Sequence, residues 1–150
     1  MSMTFKQHVD HWVNSSDENM KDMTAALKAK RRANALYSGH QALEKILKAV
    51  LAAQNKEIVH IHRIERLVDL CGFVISDMDR VELVKITGFY INTKYSSAKS
   101  QFRQSCTPQF TAESAKTIHK WRKLFKQQAL QLRSTLPDRT PASHPEKSFY

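Results

Sequence analysis

Five residues stand out for what their types and spacing could do. Lys45 and Lys48 are three apart, so on a helix they share one side and could cradle a phosphate with two mobile point charges. His62 could cap a helix or touch a ligand phosphate through its imidazole. Lys94 and Tyr95 could offer a cation and a stacking ring to a nucleotide. Plainer roles stay open for each: a solvated helix face for the lysines, a structural cap for His62, end-of-helix packing for Lys94 and Tyr95. His60 and His62 form a His-x-His pair, which ligates metal when other ligands converge, but no Cys or carboxylate partner has motif spacing. No metal and no cofactor is therefore expected. No nucleophile–base pair, glycine-rich phosphate loop or telling pair of carboxylates is present, so no catalytic residue is assigned.

The elements that would position these residues are helices. Ser15-Ser16-Asp17-Glu18 has a capping-box pattern, and Met20, Met23, Ala26/Leu27 and Ala33 follow at helical spacing, predicting a first helix over 16–32. Phe5, Val9 and Trp12 could add a turn before it. Leu36, Leu43, Ile46/Leu47 and Val50/Leu51 make an i, i+3, i+4, i+7 stripe that carries a second helix to about residue 54. Its other face bears Gln41, Glu44, Lys45 and Lys48, with Glu44 and Lys48 spaced as a surface pair. A connector over 55–61 leads to a short helix, His62–Cys71, stopped by Gly72. Ser76 caps a fourth helix in which Val81, Val84, Ile86/Phe89 and Tyr90 are spaced for burial, ending near 92–95. The stretch 96–109 is polar, contains Pro108 and reads as a loop. Thr111 caps a last helix with Ala115, Ile118, Trp121, Phe125, Ala129, Leu132 and Leu136 close to a 3.6 period. Trp121 and Phe125, one turn apart, belong in its core.

Composition agrees with this all-α pattern. The 150 residues include only three glycines and four prolines, three of the latter beyond residue 136. One bundle over 1–136 and a Pro-containing flexible tail over 137–150 are expected. No apolar run approaches the roughly 18–20 residues needed to span a bilayer, and the N-terminus has no apolar signal-peptide core. Cys71 and Cys106 have neither metal-ligand spacing nor a disulfide framework, so both are expected as reduced thiols in the cytoplasm. The net charge is +10 and uneven. Residues 1–27 carry two lysines against four acids, a net of −2; residues 28–56 carry seven Lys/Arg against one acid, a net of +6. Residues 111–133 carry six against one, a net of +5, with Lys116, Lys120 and Lys123 as a basic stripe. Such concentrations attract nucleic acid or nucleotides, or serve only as a solvated surface.

An ordered set of segments resembles the HEPN family (higher eukaryote and prokaryote nucleotide-binding domains). Tyr37 through Leu51 is similar to that family's second helix, with a glutamine, a small residue, Glu-Lys and Leu-Lys-Ala in this order. The resemblance extends to Trp12 and Asp22-Met23, to His62 followed by Ile64 and Leu67, to Tyr90-Ile-Asn-Thr-Lys-Tyr95, and to Ala115 in the final helix, covering about 12–133. It implies an up-and-down bundle of four to five helices, a homodimer, that binds nucleotides or RNA. Many members act beside a small nucleotidyltransferase as toxin–antitoxin-like pairs, and others are ribonucleases carrying Arg-x(4–6)-His.

The chain departs from the ribonuclease pattern. Lys94 stands where the arginine would be, Ser96 where a proline would be, and no histidine lies four to seven residues beyond Lys94. Arg139 and His144 have the Arg-x4-His spacing, but Pro141 lies between them in the tail. The expectation is a non-catalytic nucleotide- or RNA-binding bundle with Lys45, Lys48, His62, Lys94 and Tyr95 as phosphate or nucleotide contacts. The alternatives are an endoribonuclease in which Lys94 replaces the arginine and His62 or His40 relays the proton, and a protein-interaction module.

Overall fold

The computed structural model describes residues 2–141, apart from the side chains at 96 and 97, and these residues form six helices and no strand. They are α1 (Phe5–Lys28), α2 (Arg32–Ala53), α3 (Ile64–Cys71), α4 (Asp77–Lys94), α5 (Ser96–Ser105) and α6 (Pro108–Ser134). Residues 142–150, with most of the expected tail and His144, lie outside the described residues. No helix among the described residues is long and apolar enough to cross a membrane.

α2 is the central pillar. Fifteen of its 22 residues are buried, and it touches each of the other five helices, α1 and α6 most extensively. A helix buried nearly all round needs neighbours on every side, for its apolar residues and for its buried polar row alike. Leu36, Leu43, Ile46 and Leu47 are fully buried and meet Val9 and Met23 of α1 and Ile118 and Phe125 of α6 in one core. Each such side chain contributes on the order of 1.5–3 kcal/mol of burial free energy. Gly39 marks the closest approach: a Cβ there would stand 2.5 Å from Ile118 Cδ1 and 2.9 Å from Met23 Sδ, so α1 and α6 close on α2 where it has no side chain.

Several expected boundaries move, each for a visible reason. α1 starts at Phe5 because Thr4 and Gln7 form a reciprocal capping box, so Ser15-Ser16-Asp17-Glu18 lies mid-helix. Ser16 is buried there; its hydroxyl donates to the Ala42 carbonyl (2.7 Å) and accepts from Arg122 (2.8 Å), pinning α1 to α2 and α6. The expected loop over 96–109 contains α5, anchored by Phe102 on Phe89 with ring centroids 5.7 Å apart. One buried aromatic in a ten-residue polar helix leaves no period to read. α6 is capped by Thr107, which accepts from Phe110 N, and Pro108 is its first residue, where a missing N–H does no harm. Thr111 is buried inside the helix. On α4 the inward row is Leu83, Ile86, Thr87 and Phe89, whereas Val81 and Val84 face solvent at 70% and 47% exposure.

Three helices end in the same way. Lys30 (φ 61°), Asn55 (φ 54°) and Gly72 (φ 83°) take the left-handed conformation after α1, α2 and α3. Paired bonds such as Arg31 N to Ala26 O and Lys30 N to Leu27 O satisfy the last carbonyls. Past α6, Asp138 bridges Lys6 at 2.9 Å, and the Arg139 carbonyl accepts from Phe5 N at 3.0 Å.

Candidate functional site

Tyr37, His40/Gln41, Glu44 and Lys48 recur at spacings of three and four, so they form one side of α2. The 54–63 connector lays His62 against that side, and α4 brings Thr87, Tyr90 and Lys94. Together these build a polar and aromatic cluster beside the core.

His62 is held on three sides. Its Nδ1–H donates to Glu44 Oε1 at 2.7 Å, its carbonyl accepts from His40 Nε2 at 2.7 Å, and its ring stacks on Tyr90 with centroids 4.4 Å apart and planes 20° apart. Burial pushes the His40 pKa down, so the ring is neutral and its Nε2–H is a donor. Its Nδ1 lies 3.1 Å from the side-chain amide of Gln41. The bond to Glu44 fixes the orientation of the His62 ring and turns Nε2 away from the carboxylate. The backbone just after His62 is fixed too: Ile64 N donates to Thr87 Oγ1 (2.9 Å), whose hydroxyl donates to Glu65 (2.9 Å).

Glu44 is the electrostatic centre. Burial alone would raise its pKa, but the Lys48 ammonium 3.0 Å from Oε2 and the His62 bond outweigh that and hold it below the usual carboxylate value. Glu44 and Lys48 are almost wholly buried, with side chains 5% and 4% exposed, so the pair expected on the surface lies inside. Lys48 Nζ sits 5.4 Å from the Trp12 ring centroid, so α1 closes over it. Lys45, three residues before Lys48, is half-buried, whereas the Lys48 ammonium is committed to Glu44.

The rings continue outward. Tyr90 stacks on Tyr37 with centroids 6.0 Å apart and planes 18° apart, and lies 5.1 Å from His40. Lys94 Nζ stands 5.7 Å from the Tyr37 centroid and 5.8 Å from that of Tyr90. Burial raises the Tyr90 pKa, so the phenol keeps its proton. A cavity of about 280 Å³ opens beside the stack, lined by His60, Ile61, His62, Arg63, Thr87, Tyr90 and Ile91.

The structure thus brings His62 and Lys94 together through Tyr90. Tyr95 is 62% exposed at the α4–α5 junction, and His62 precedes α3 rather than opening it, with Arg63 at the cap position. Among the described residues no three His, Cys, Asp or Glu converge as a metal site. Tyr37, Tyr90 and Glu44 were not among the expected contacts, and His40 was expected only as a proton relay in the endoribonuclease alternative. The three- and four-residue spacing of Tyr37, His40/Gln41 and Glu44 was the signal for a polar row on an otherwise apolar helix.

Compared with known families, the chain matches the HEPN domain model over residues 9–128. No curated protein and no solved structure matches it significantly.

Proposed function

This chain belongs to the HEPN domain family, and from that premise we propose that it binds a nucleotide, free or within RNA, on the Tyr37–Tyr90–His62 stack. Membership ties it to nucleotide- or RNA-related function. The observation that carries the finer reading is the ladder of parallel rings capped by the Lys94 ammonium. A base stacks on an aromatic face for about 1–3 kcal/mol whatever its identity, and the cation supplies charge for the attached phosphate. Glu44 and Lys48 act behind the ligand, holding His62 in register. Tyr95, exposed next to Lys94, offers a second ring. A homodimer, a nucleotidyltransferase partner and a cytoplasmic setting belong to the same proposal.

Titration calorimetry with AMP and with single-stranded RNA tests it. The variant Tyr37→Leu/Tyr90→Leu should bind at least about ten-fold more weakly, the equivalent of one lost stack. Wild-type-like binding by that variant rejects the site.

One contact favours a second reading, that of an endoribonuclease. The 2.7 Å Glu44–His62 bond is the carboxylate–imidazole arrangement that prepares a histidine to take a proton on its other nitrogen. Lys94 would then meet phosphate charge in place of arginine. Cleavage of labelled RNA that disappears in His62→Ala would establish this reading, and intact RNA under the same conditions would set it aside.

A further inference from the structure

A second cationic locus lies at the N-terminal end of α2, outside the stack. Lys30, Arg31, Arg32 and Asn34 at the α1–α2 junction, with Arg103 and Cys106 at the end of α5, line an open cavity of about 320 Å³. At about 30 Å³ per water, that volume equals roughly ten waters, enough for a phosphate and part of its hydration.

Among the described residues no carboxylate pairs with the four cations. No Asp or Glu occurs between Asp22 and Glu44, or between Glu82 and Glu113, the two stretches that supply the walls. Arg31 instead donates to the side-chain oxygen of Asn34, with the amide turned to face it (2.8 Å), which steadies the guanidinium. Burial raises the pKa of the Cys106 thiol, so the wall contributes no thiolate as counter-charge. Lys30 holds the left-handed conformation at φ 61°, a position where glycine would be relaxed.

The cavity and the stack share a side of α2. Ala33 and Asn34 line the cavity, and Tyr37 follows them at the four- and three-residue spacings that share a helix side, about 5 Å along the axis.

We infer that this cavity is a phosphate subsite for an RNA strand whose base lies on the Tyr37–Tyr90 stack. The base half of the inference rests on the reading above; the phosphate half rests only on the cluster of uncompensated cations.

The test measures binding of AMP and of a labelled single-stranded oligoadenylate across a salt series, for wild type, Arg32→Ala/Arg103→Ala and Tyr37→Leu/Tyr90→Leu. The arginine variant should bind the oligonucleotide about ten-fold more weakly. Its slope of log K against log salt should be shallower by about 1.4, for two phosphates at roughly 0.7 each. AMP affinity should stay as in wild type. Equal loss for AMP and oligonucleotide keeps the phosphate subsite and assigns it to a mononucleotide's own phosphate. Unchanged affinity and slope for both probes overturns it. If the tyrosine variant binds normally while the arginine variant loses the oligonucleotide, the stack reading fails and the phosphate subsite stands. Should the double variant fold poorly, Arg103→Ala alone alters an exposed side chain and should reduce the slope by about 0.7.

Discussion

The two most basic stretches of the chain, the start of α2 and the length of α6, look alike in charge and differ in what surrounds the charge. On α6, Arg122 and Lys126 both bind Asp17, Arg133 binds Asp10, and Lys120 binds Glu82, so four of the six cations are engaged. Their partners come from α1, the acidic end of the chain, and from α4. At the start of α2, Lys30, Arg31 and Arg32 face Arg103 across a cavity with no carboxylate. Lys48, farther along α2, is the extreme opposite case, a buried cation wholly committed to Glu44. Net charge therefore locates candidate polyanion surfaces poorly. Uncompensated charge locates them better, because a paired cation has already given up the hydration and field that a phosphate would use.

This contrast can be broken at its strongest point first. Glu44→Ala leaves Lys48 buried without a partner and frees His62, and should cost about 3–5 kcal/mol in denaturant unfolding. A loss below 1 kcal/mol would mean that water reaches Lys48 and that the pair is not a pillar of the site. A second effect comes from His40, whose burial lowers its folded pKa below the ordinary histidine value of 6.5. The unfolded chain then binds the extra proton first, so His40 contributes stability above pH 6.5 that is lost as pH falls toward its folded pKa. His40→Gln should flatten that limb of the stability–pH curve, and an unaltered limb would place its origin elsewhere.

Asp17→Asn sharpens the comparison directly. It unpairs Arg122 and Lys126 at a cost of about 1 kcal/mol, since the group is part-exposed. It should also steepen the salt dependence of RNA binding, as α6 acquires the uncompensated character of the α2 start. An unchanged slope would show that pairing does not decide which basic face binds. The smallest effect is expected for Lys30→Gly. Relief of the left-handed strain, about 1–2 kcal/mol, is partly offset by the backbone entropy of glycine, leaving a gain of roughly 0.5 kcal/mol in thermal unfolding. The same variant should weaken oligonucleotide binding slightly, separating stability from affinity at one residue.

How much of this was legible beforehand depends on the range of the interaction. The α2 stripe, the Gly72 stop of α3 and the Ser76 cap of α4 read correctly because they are local signals, whereas the inward face of α4, with Val81 and Val84 exposed, was set by its packing. α1 was misplaced because Ser15–Glu18 imitates a cap that Thr4 and Gln7 supply earlier, and only burial of Ser16 tells the two apart. α5 was unreadable because ten polar residues with Phe102 as their buried anchor carry no periodicity. Of the expected contacts, His62 and Lys94 lie in the cluster, Tyr95 lies beside it, and Lys48 serves beneath it.

The sequence by itself determined that the chain is an α-helical bundle of the HEPN family, rich in cations and with Lys94 where the ribonuclease members carry arginine. Helical period, caps and residue order are properties of neighbours along the chain, so they survive without coordinates. Only the tertiary structure decided which cations are spent and which remain uncompensated. Asp17 and Arg122 are 105 positions apart, and no local pattern predicts that they meet. The same holds for the stack: Tyr37, His62 and Tyr90 come from α2, a connector and α4, and become one surface because α2, buried on nearly every side, gathers the other elements around it.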